Sequence, residues 1–205
     1  MGDDSSSRTD GARRPERHRE RGDGATALIV VDMLNTYEHE DAERLASNVK
    51  PTVAPISGLV SRARDDDVPV VYVQDSYGDW NTSAEKLARQ AMEGRHPELV
   101  EPILPPDDAA FIIKARHSAF YQTLLEYLLD RDGAGRIVLA GQVTEQCILY
   151  SALDAYVRHF EVAVPRDAVA HIHESLGDAA LEMMERNMGA EVAGSDQLRF
   201  SSSIS

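Results

Sequence analysis

Short apolar runs alternate with longer amphipathic stretches along most of this chain. Consecutive apolar residues predict buried strands at 27–31, 68–74, 110–113, 137–140 and 160–165, with a short edge strand at 190–192. Apolar residues at helical spacing predict helices over 43–64, 83–92, 118–129, 147–158 and 174–187. The first of these has an irregular start, because Pro51 and Pro55 interrupt it. Strands that alternate with helices form parallel sheets through crossover connections. The predicted fold class is therefore α/β, a doubly wound, mostly parallel sheet with helices on both faces.

The pattern also predicts where the folded part begins and ends. Residues 1–24 contain no Val, Ile, Leu, Phe, Tyr or Trp, so they cannot bury enough surface to offset the entropy of ordering. We predict a disordered N-terminal extension over 1–24, a single domain over 25–195 and a C-terminal tail over 196–205. A chain of 205 residues gives little reason to expect a second domain.

The net charge of the chain indicates which classes of partner it can bind. The formal net charge is −14, and residues 1–24 balance six arginines against six acidic residues, so the excess lies on the predicted domain. Nucleic acids and anionic membranes attract clustered Lys and Arg; we therefore expect neither as a partner and expect a small-molecule substrate. No apolar run is long enough for a membrane span or a secretory signal, which predicts a cytoplasmic protein.

Three side chains that are suited to nucleophilic or acid–base chemistry follow predicted strands. Asp32 comes after the first strand, Lys114 after the third, and Cys147, the single cysteine, lies just beyond the fourth. Parallel strands end at the same edge of a sheet, where α/β proteins bind their ligands. A thiol needs a base to become a nucleophile, and a cation can balance the resulting charge. Taken alone, Asp32 is better explained as a strand-end cap or turn residue.

Cys147 follows a glycine-containing turn and opens an amphipathic stretch. This pattern predicts a strand, a tight turn and a helix with Cys147 in its first turn. Unpaired N–H groups and the helix dipole favour a thiolate there. Without other evidence, a lone cysteine is more often a buried packing residue.

Further candidate residues surround this predicted edge. Tyr77 and Trp80 lie in the irregular section 76–106, where they either line a pocket or pack locally to hold a long loop. Arg116 and His117 follow Lys114 closely, so one of them could bind a substrate carboxylate, with a surface ion pair as the alternative.

Three segments of the chain resemble signature segments of the isochorismatase-like cysteine hydrolase superfamily. They are Val31–Tyr37, Ile113–Phe120 and Gly141–Cys147, in the family's order. The resemblance implies that Cys147 attacks a carbonyl carbon, that Asp32 moves the proton, and that Lys114 orients Asp32 and balances charge.

The resemblance also implies supporting residues within these segments. Backbone N–H groups near Val143, Thr144 and Cys147 would form an oxyanion hole, and a non-proline cis peptide bond is expected beside Val143. Four more side chains from the segments are candidates for substrate binding: Asn35, Tyr37, Phe120 and Gln142.

The chain departs from one branch of the superfamily. Nicotinamidases resemble it but hold a metal with an aspartate and histidines after the second strand, whereas Asp75 is followed by Ser76–Asn81, which contains no histidine. We therefore predict no metal and no cofactor. The resemblance also implies a homo-oligomer, a dimer or a tetramer.

The expected reaction is cleavage of a C–N bond in a small amide, ureide, carbamoyl compound or lactam through a thioester. One alternative is a vinyl-ether hydrolase of the isochorismatase type, which would not need the thiol. A second alternative is a non-catalytic binding or scaffold protein on the same fold; the presence of Asp32, Lys114 and Cys147 together favours an enzyme.

Overall fold

A central sheet of seven strands is the core of the computed structural model, which describes residues 25–200. The strands are β1 (Ala25–Val31), β2 (Val70–Asp75), β3 (Ala110–Lys114), β4 (Ala134–Gln142), β5 (Glu161–Pro165), β6 (Val169–Ala170) and β7 (Glu191–Ala193). Their order is β3-β2-β1-β4-β5-β7, with β6 paired to the end of β4, and every pairing is parallel. The predicted fold class is confirmed.

Helices cover both faces of this sheet. They are α1 (Ala42–Val49), α2 (Val53–Asp65), α3 (Ala84–Met92), α4 (Pro97–Val100), α5 (Leu125–Arg131), α6 (Leu149–Val157) and α7 (Glu174–Met188). Successive residues of β1 face opposite sides, so Leu28 and Val30 join a core with α1 to α3, while Ile29 and Val31 join one with α5 to α7. This is why the strands read as continuous apolar runs.

The switch in strand order lies between β1 and β4. The chain builds β2 and β3 on one side of β1 and then crosses to add β4 and β5 on the other. A crevice forms outside the carboxyl ends of strands at such a switch. Asp32 and Gly141, at the ends of the neighbouring strands β1 and β4, lie at this crevice.

The interruption predicted near Pro51 is confirmed, because residues 50–52 form a 3₁₀ turn between α1 and α2. Pro55 lies in the first turn of α2 and does not interrupt it. Another predicted helix differs in the structure. The helix predicted to start at Ser118 begins only at Leu125. Gln122 takes a left-handed conformation with φ of 51°, and the Ser118 hydroxyl bonds to Asp154 and to the Phe120 N–H instead of capping a helix.

The described chain continues to pack beyond β7. Leu198 and Phe200 are buried in the core, and the guanidinium of Arg62 lies 5.6 Å from the Phe200 ring centroid. Both buried residues fall in the segment predicted as a tail. The rest of that tail, 201–205, and the predicted extension 1–24 lie outside the described residues.

Among the helices within residues 25–200, none has the length and apolarity needed to cross a membrane.

Candidate active site

Asp32 is held at the end of β1 by bonds to its backbone from both neighbouring strands. Its N–H donates to the Val73 carbonyl at 2.9 Å, and the Gln142 side-chain amide donates to the Asp32 carbonyl at 2.5 Å. The backbone takes the left-handed conformation, with φ of 56°, which is rare outside glycine and concentrated at functional sites. The carboxylate is thereby fixed at the sheet edge, where its Oδ1 accepts the Asp75 N–H at 2.7 Å.

Lys114, the last residue of β3, places a buried cation between two carboxylates. Its Nζ lies 2.8 Å from Asp32 Oδ2 and 3.2 Å from Asp75 Oδ2, and its side chain has no exposed surface. Burial alone would lower the pKa of Lys114, but the negative charges around it, chiefly that of Asp32, outweigh this effect and raise the pKa. Lys114 is therefore a fixed positive charge at neutral pH.

Cys147 completes the cluster. The chain turns through a π-helical segment, Thr144–Ile148, before α6, and this turn places Sγ 3.5 Å from Lys114 Nζ. π-Helical turns are rare and frequent at functional sites. The structure thus brings Asp32, Lys114 and Cys147 together, as their positions after three strands predict.

The predicted resting thiolate is not supported. Burial raises the pKa of Cys147, the Asp32 carboxylate raises it further, and Lys114 only partly opposes them. Burial likewise raises the pKa of Asp32 despite the neighbouring ammonium. Cys147 is only 7% exposed, so the loss of hydration outweighs the helix-start effect. A raised pKa favours the protonated thiol of Cys147, next to the Asp32 carboxylate.

Four predicted substrate-binding residues lie at an open cavity of about 510 Å³. They are Tyr77, Trp80, Arg116 and His117, and Tyr121 adds a third aromatic ring. The cavity reaches the cluster through Asp75, which is bonded to Lys114, and through His117, whose Nδ1 is 3.7 Å from Cys147 Sγ.

The other four predicted substrate-binding residues lie in the interior. Tyr37 is fully buried, burial raises its pKa to about 12, and its hydroxyl donates to Gln142 Oε1 at 3.5 Å. Asn35 accepts the Tyr37 N–H through Oδ1 at 2.7 Å. Phe120 packs against Phe160, with ring centroids 5.7 Å apart. In this structure Tyr37, Asn35 and Gln142 support the backbone around Asp32.

The segment that joins β4 to Cys147 contains the peptide bond beside Val143 that the resemblance implies to be cis. The bond between Gln142 and Val143 is cis, next to Val143 as the resemblance implies. Thr144 Oγ1 is buried and has no hydrogen-bond partner within the described chain. The oxyanion-hole role of Val143 and Thr144 stays a prediction.

Comparison with known proteins shows to which family this chain belongs. A family model described as the isochorismatase domain matches residues 26–197. The chain belongs to the isochorismatase family.

Relatives of this isochorismatase-family chain include proteins named as amide hydrolases. An uncharacterized isochorismatase family protein, YaaI of Bacillus subtilis, is 33% identical over 84% of this chain and 95% of its own length. Maleamate amidohydrolase of Pseudomonas putida is 29% identical, over 84% of this chain and 85% of its own. The crystal structure of N-carbamoylsarcosine amidase from Thermoplasma acidophilum superposes with a TM-score of 0.65 at 28% identity, over 85% of this chain and 98% of that one. With these relatives, the chain is a hydrolase.

Asp75 belongs to this isochorismatase-family site, although no role was predicted for it from the sequence. It directly ends β2, whose neighbours β1 and β3 supply Asp32 and Lys114, so the strand-end argument could have included it. Its carboxylate bonds Lys114 and its N–H bonds Asp32. Asp75 therefore stabilises both Asp32 and Lys114 in their positions beside Cys147.

The surroundings of Asp75 do not fit the metal site of nicotinamidases. Its Oδ2 faces Lys114 and its Oδ1 accepts the Tyr77 N–H at 2.8 Å, and no histidine occurs in Ser76–Asn81. Across residues 25–200, no group of three or more His, Cys, Asp or Glu side chains converges in a way that could hold a metal ion.

Proposed function

We propose that this chain is a metal-independent cysteine hydrolase that cleaves a C–N bond of a small amide, ureide, carbamoyl compound or lactam through a thioester. The observation on which this proposal rests is the position of Lys114, whose ammonium contacts Asp32 Oδ2 at 2.8 Å and Cys147 Sγ at 3.5 Å. A nucleophile, a proton acceptor and a fixed charge are thereby joined in one buried cluster.

The reaction begins with transfer of the thiol proton. Because the pKa of Cys147 is raised, the sulfur gives its proton to Asp32 as it attacks the carbonyl carbon. The pKa of Asp32 is also raised, which makes its carboxylate a better proton acceptor than an ordinary one. Lys114 offsets the negative charge that moves between them.

Breakdown of the tetrahedral intermediate releases the nitrogen. Asp32 passes its proton to the departing nitrogen as the C–N bond breaks, which leaves an acyl group on Cys147. Peptide N–H groups near Val143, Thr144 and Cys147 would stabilise the oxyanion in this step. Water then hydrolyses the thioester and restores the thiol.

Two relatives support C–N cleavage in particular. Maleamate amidohydrolase and N-carbamoylsarcosine amidase are named for reactions at an amide and a carbamoyl group, and both match more than four-fifths of this chain. The vinyl-ether reaction would leave Cys147 without a function, whereas in the structure the thiol contacts Lys114.

A product screen tests the proposed reaction. The purified protein is incubated with a panel of small amides, ureides, carbamoyl compounds and lactams, and separately with isochorismate, while ammonia or amine and pyruvate are measured. We expect nitrogen release without pyruvate for at least one compound, and Cys147→Ala should abolish it, by on the order of 10⁴-fold or more.

The control is the variant His39→Asn. His39 is exposed and lies before α1, so this substitution should leave the rate of nitrogen release unchanged. Pyruvate from isochorismate with no nitrogen release would support the vinyl-ether hydrolase instead. Nitrogen release that survives Cys147→Ala would contradict the thioester mechanism.

A further inference from the structure

The Tyr77 side chain joins the exposed wall of the cavity to the interior. Tyr77 is 55% exposed and lines the cavity. Its hydroxyl oxygen nevertheless accepts a hydrogen bond from the side-chain Nε2 of Gln74 at 3.0 Å, and Gln74 is only 2% exposed. The ring therefore reaches from solvent to a buried partner, and its hydroxyl lies at the inner end.

The orientation of the Gln74 amide is fixed by a backbone group. Its Oε1 accepts the Leu34 N–H at 2.9 Å, and a backbone N–H can act only as a donor. The amide oxygen must therefore face Leu34, so the NH₂ group faces the Tyr77 hydroxyl. Because Leu34 follows Asp32 by two residues, Gln74 connects the loop after Asp32 to the cavity wall.

This contact leaves the proton of the Tyr77 hydroxyl without an acceptor. A phenol both donates and accepts hydrogen bonds, and the Gln74 NH₂ group engages only its accepting side. Among residues 25–200, no other group forms a hydrogen bond with this hydroxyl. Burial raises the pKa of Tyr77 well above its usual value, and the Asp32 carboxylate raises it further. The hydroxyl therefore keeps its proton at neutral pH and remains a donor.

The turn that carries Tyr77 is attached to the strand ends of the site. The backbone of Tyr77 is left-handed, with φ of 49°, and its N–H donates to Asp75 Oδ1 at 2.8 Å. The N–H of the preceding residue, Ser76, donates to the Lys114 carbonyl at 3.0 Å. These bonds hold the Tyr77 ring in a fixed position beside the ends of β2 and β3.

We propose that the Tyr77 hydroxyl donates a hydrogen bond to a second oxygen of the substrate and thereby selects compounds that carry an acceptor besides the scissile carbonyl; this inference rests on the proposed function. In the proposed reaction, peptide N–H groups near Val143, Thr144 and Cys147 already bind the oxygen of the scissile carbonyl. The substrate class is therefore an amide, ureide or carbamoyl compound with a further carboxylate or carbonyl oxygen. An analogue without that oxygen leaves the buried donor unpaired, which lowers its reactivity.

Matched compounds within the product screen test this selection. Succinamate carries a carboxylate and succinamide a second carbonyl oxygen, whereas butyramide has neither; N-carbamoylglycine and ethylurea form the corresponding ureide pair. We expect the unmodified protein to prefer a compound with the second oxygen. Tyr77→Phe removes only the hydroxyl and should lower kcat/KM for that compound by about 10- to 10²-fold. For compounds without the second oxygen, kcat/KM should change by less than about 3-fold.

The matched control is Tyr127→Phe, the same substitution on α5 at a tyrosine that is 65% exposed and lies outside the cavity; it should leave every rate unchanged. Circular dichroism should show that both variants are folded. Equal losses in Tyr77→Phe for compounds with and without the second oxygen, or no loss for any compound, would overturn the role of Tyr77 while the proposed function stands. If the unmodified protein releases nitrogen from no compound in the screen, the proposed function fails as well.

Discussion

At the scale of single residues, this site depends on how burial changes proton affinity. Cys147 lies in the first turn of a helical segment, which in isolation favours a thiolate. Burial and the Asp32 carboxylate act in the opposite direction and raise its pKa. Loss of hydration for a buried ion costs several kcal/mol, more than the roughly 1 kcal/mol of a helix dipole. In the proposed mechanism, the thiol is therefore expected to lose its proton only as it attacks the carbonyl carbon.

The raised pKa predicts an unusual alkylation profile for Cys147. At pH 7 the thiolate fraction is smaller than in free cysteine, so iodoacetamide should label the native protein more slowly than a cysteine peptide, and the rate should keep rising with pH beyond the ordinary thiol range near 8.5. Asp32→Asn removes a carboxylate that raises the thiol pKa, so labelling at pH 7 should accelerate while hydrolysis falls. Intact mass against time at each pH measures the rates.

The protein unfolded in denaturant is the reference and should follow the profile of a free thiol. A labelling rate that levels off below pH 8 in the native protein would show that Cys147 is already a thiolate at rest. The proton-transfer role of Asp32 in acylation would then be unnecessary.

At the scale of secondary-structure elements, the site depends on a close approach of two strand ends. Gly141 in β4 pairs with Val31 in β1, and its φ of 120° is a conformation that other residues rarely adopt. A Cβ atom at Gly141 would lie 2.1 Å from the Val31 carbonyl oxygen. Only glycine therefore allows β4 to reach the end of β1, where Gln142 holds the Asp32 carbonyl.

Gly141→Ala should destabilise the fold by about 3 kcal/mol or more, because backbone atoms of two central strands must separate. Gly58 in α2 is the matched control, since its Cβ would meet nothing within 4 Å. Gly58→Ala should stabilise the protein by about 0.5–1 kcal/mol through helix propensity. Urea unfolding of both variants measures the changes, and equal stabilities would refute the close-approach account.

The sequence predicted the buried strands better than the start of α5. Buried strands were found because both faces of the sheet are covered, which makes the runs 27–31, 70–71 and 137–140 within β1, β2 and β4 continuously apolar. The late start of α5 was not predicted, since the apolar residues at helical spacing begin at Phe120, just after Ser118. A tertiary bond from the Ser118 hydroxyl to Asp154 and the left-handed Gln122 override that local pattern.

At the scale of the whole molecule, charge and surface pattern determine which associations are favourable. A net charge of −14 repels a second identical chain unless the two meet at an uncharged surface. The outward side of α6 is such a surface, because Tyr150, Leu153 and Val157 lie on one helical stripe and are 43%, 46% and 55% exposed.

We therefore predict that a second copy of this chain covers the α6 stripe in a homo-oligomer. Light scattering should give the mass of a dimer or tetramer of the 22.6 kDa chain. Leu153→Glu should lower this mass toward that of one chain, because it places a carboxylate on both sides of the contact between the two α6 stripes. Circular dichroism checks that the variant is folded. A monomeric mass for the unmodified protein would contradict the prediction.

The sequence by itself determined the sheet, its covering helices and the three strand-end residues Asp32, Lys114 and Cys147. Apolar runs and chain order are local properties, and parallel strands necessarily bring their ends to one edge. The tertiary structure alone decided the distances, the division of the predicted binding residues between cavity and interior, and the raised pKa of Cys147. Each of these depends on burial and on contacts between residues far apart in the chain, which no local pattern encodes.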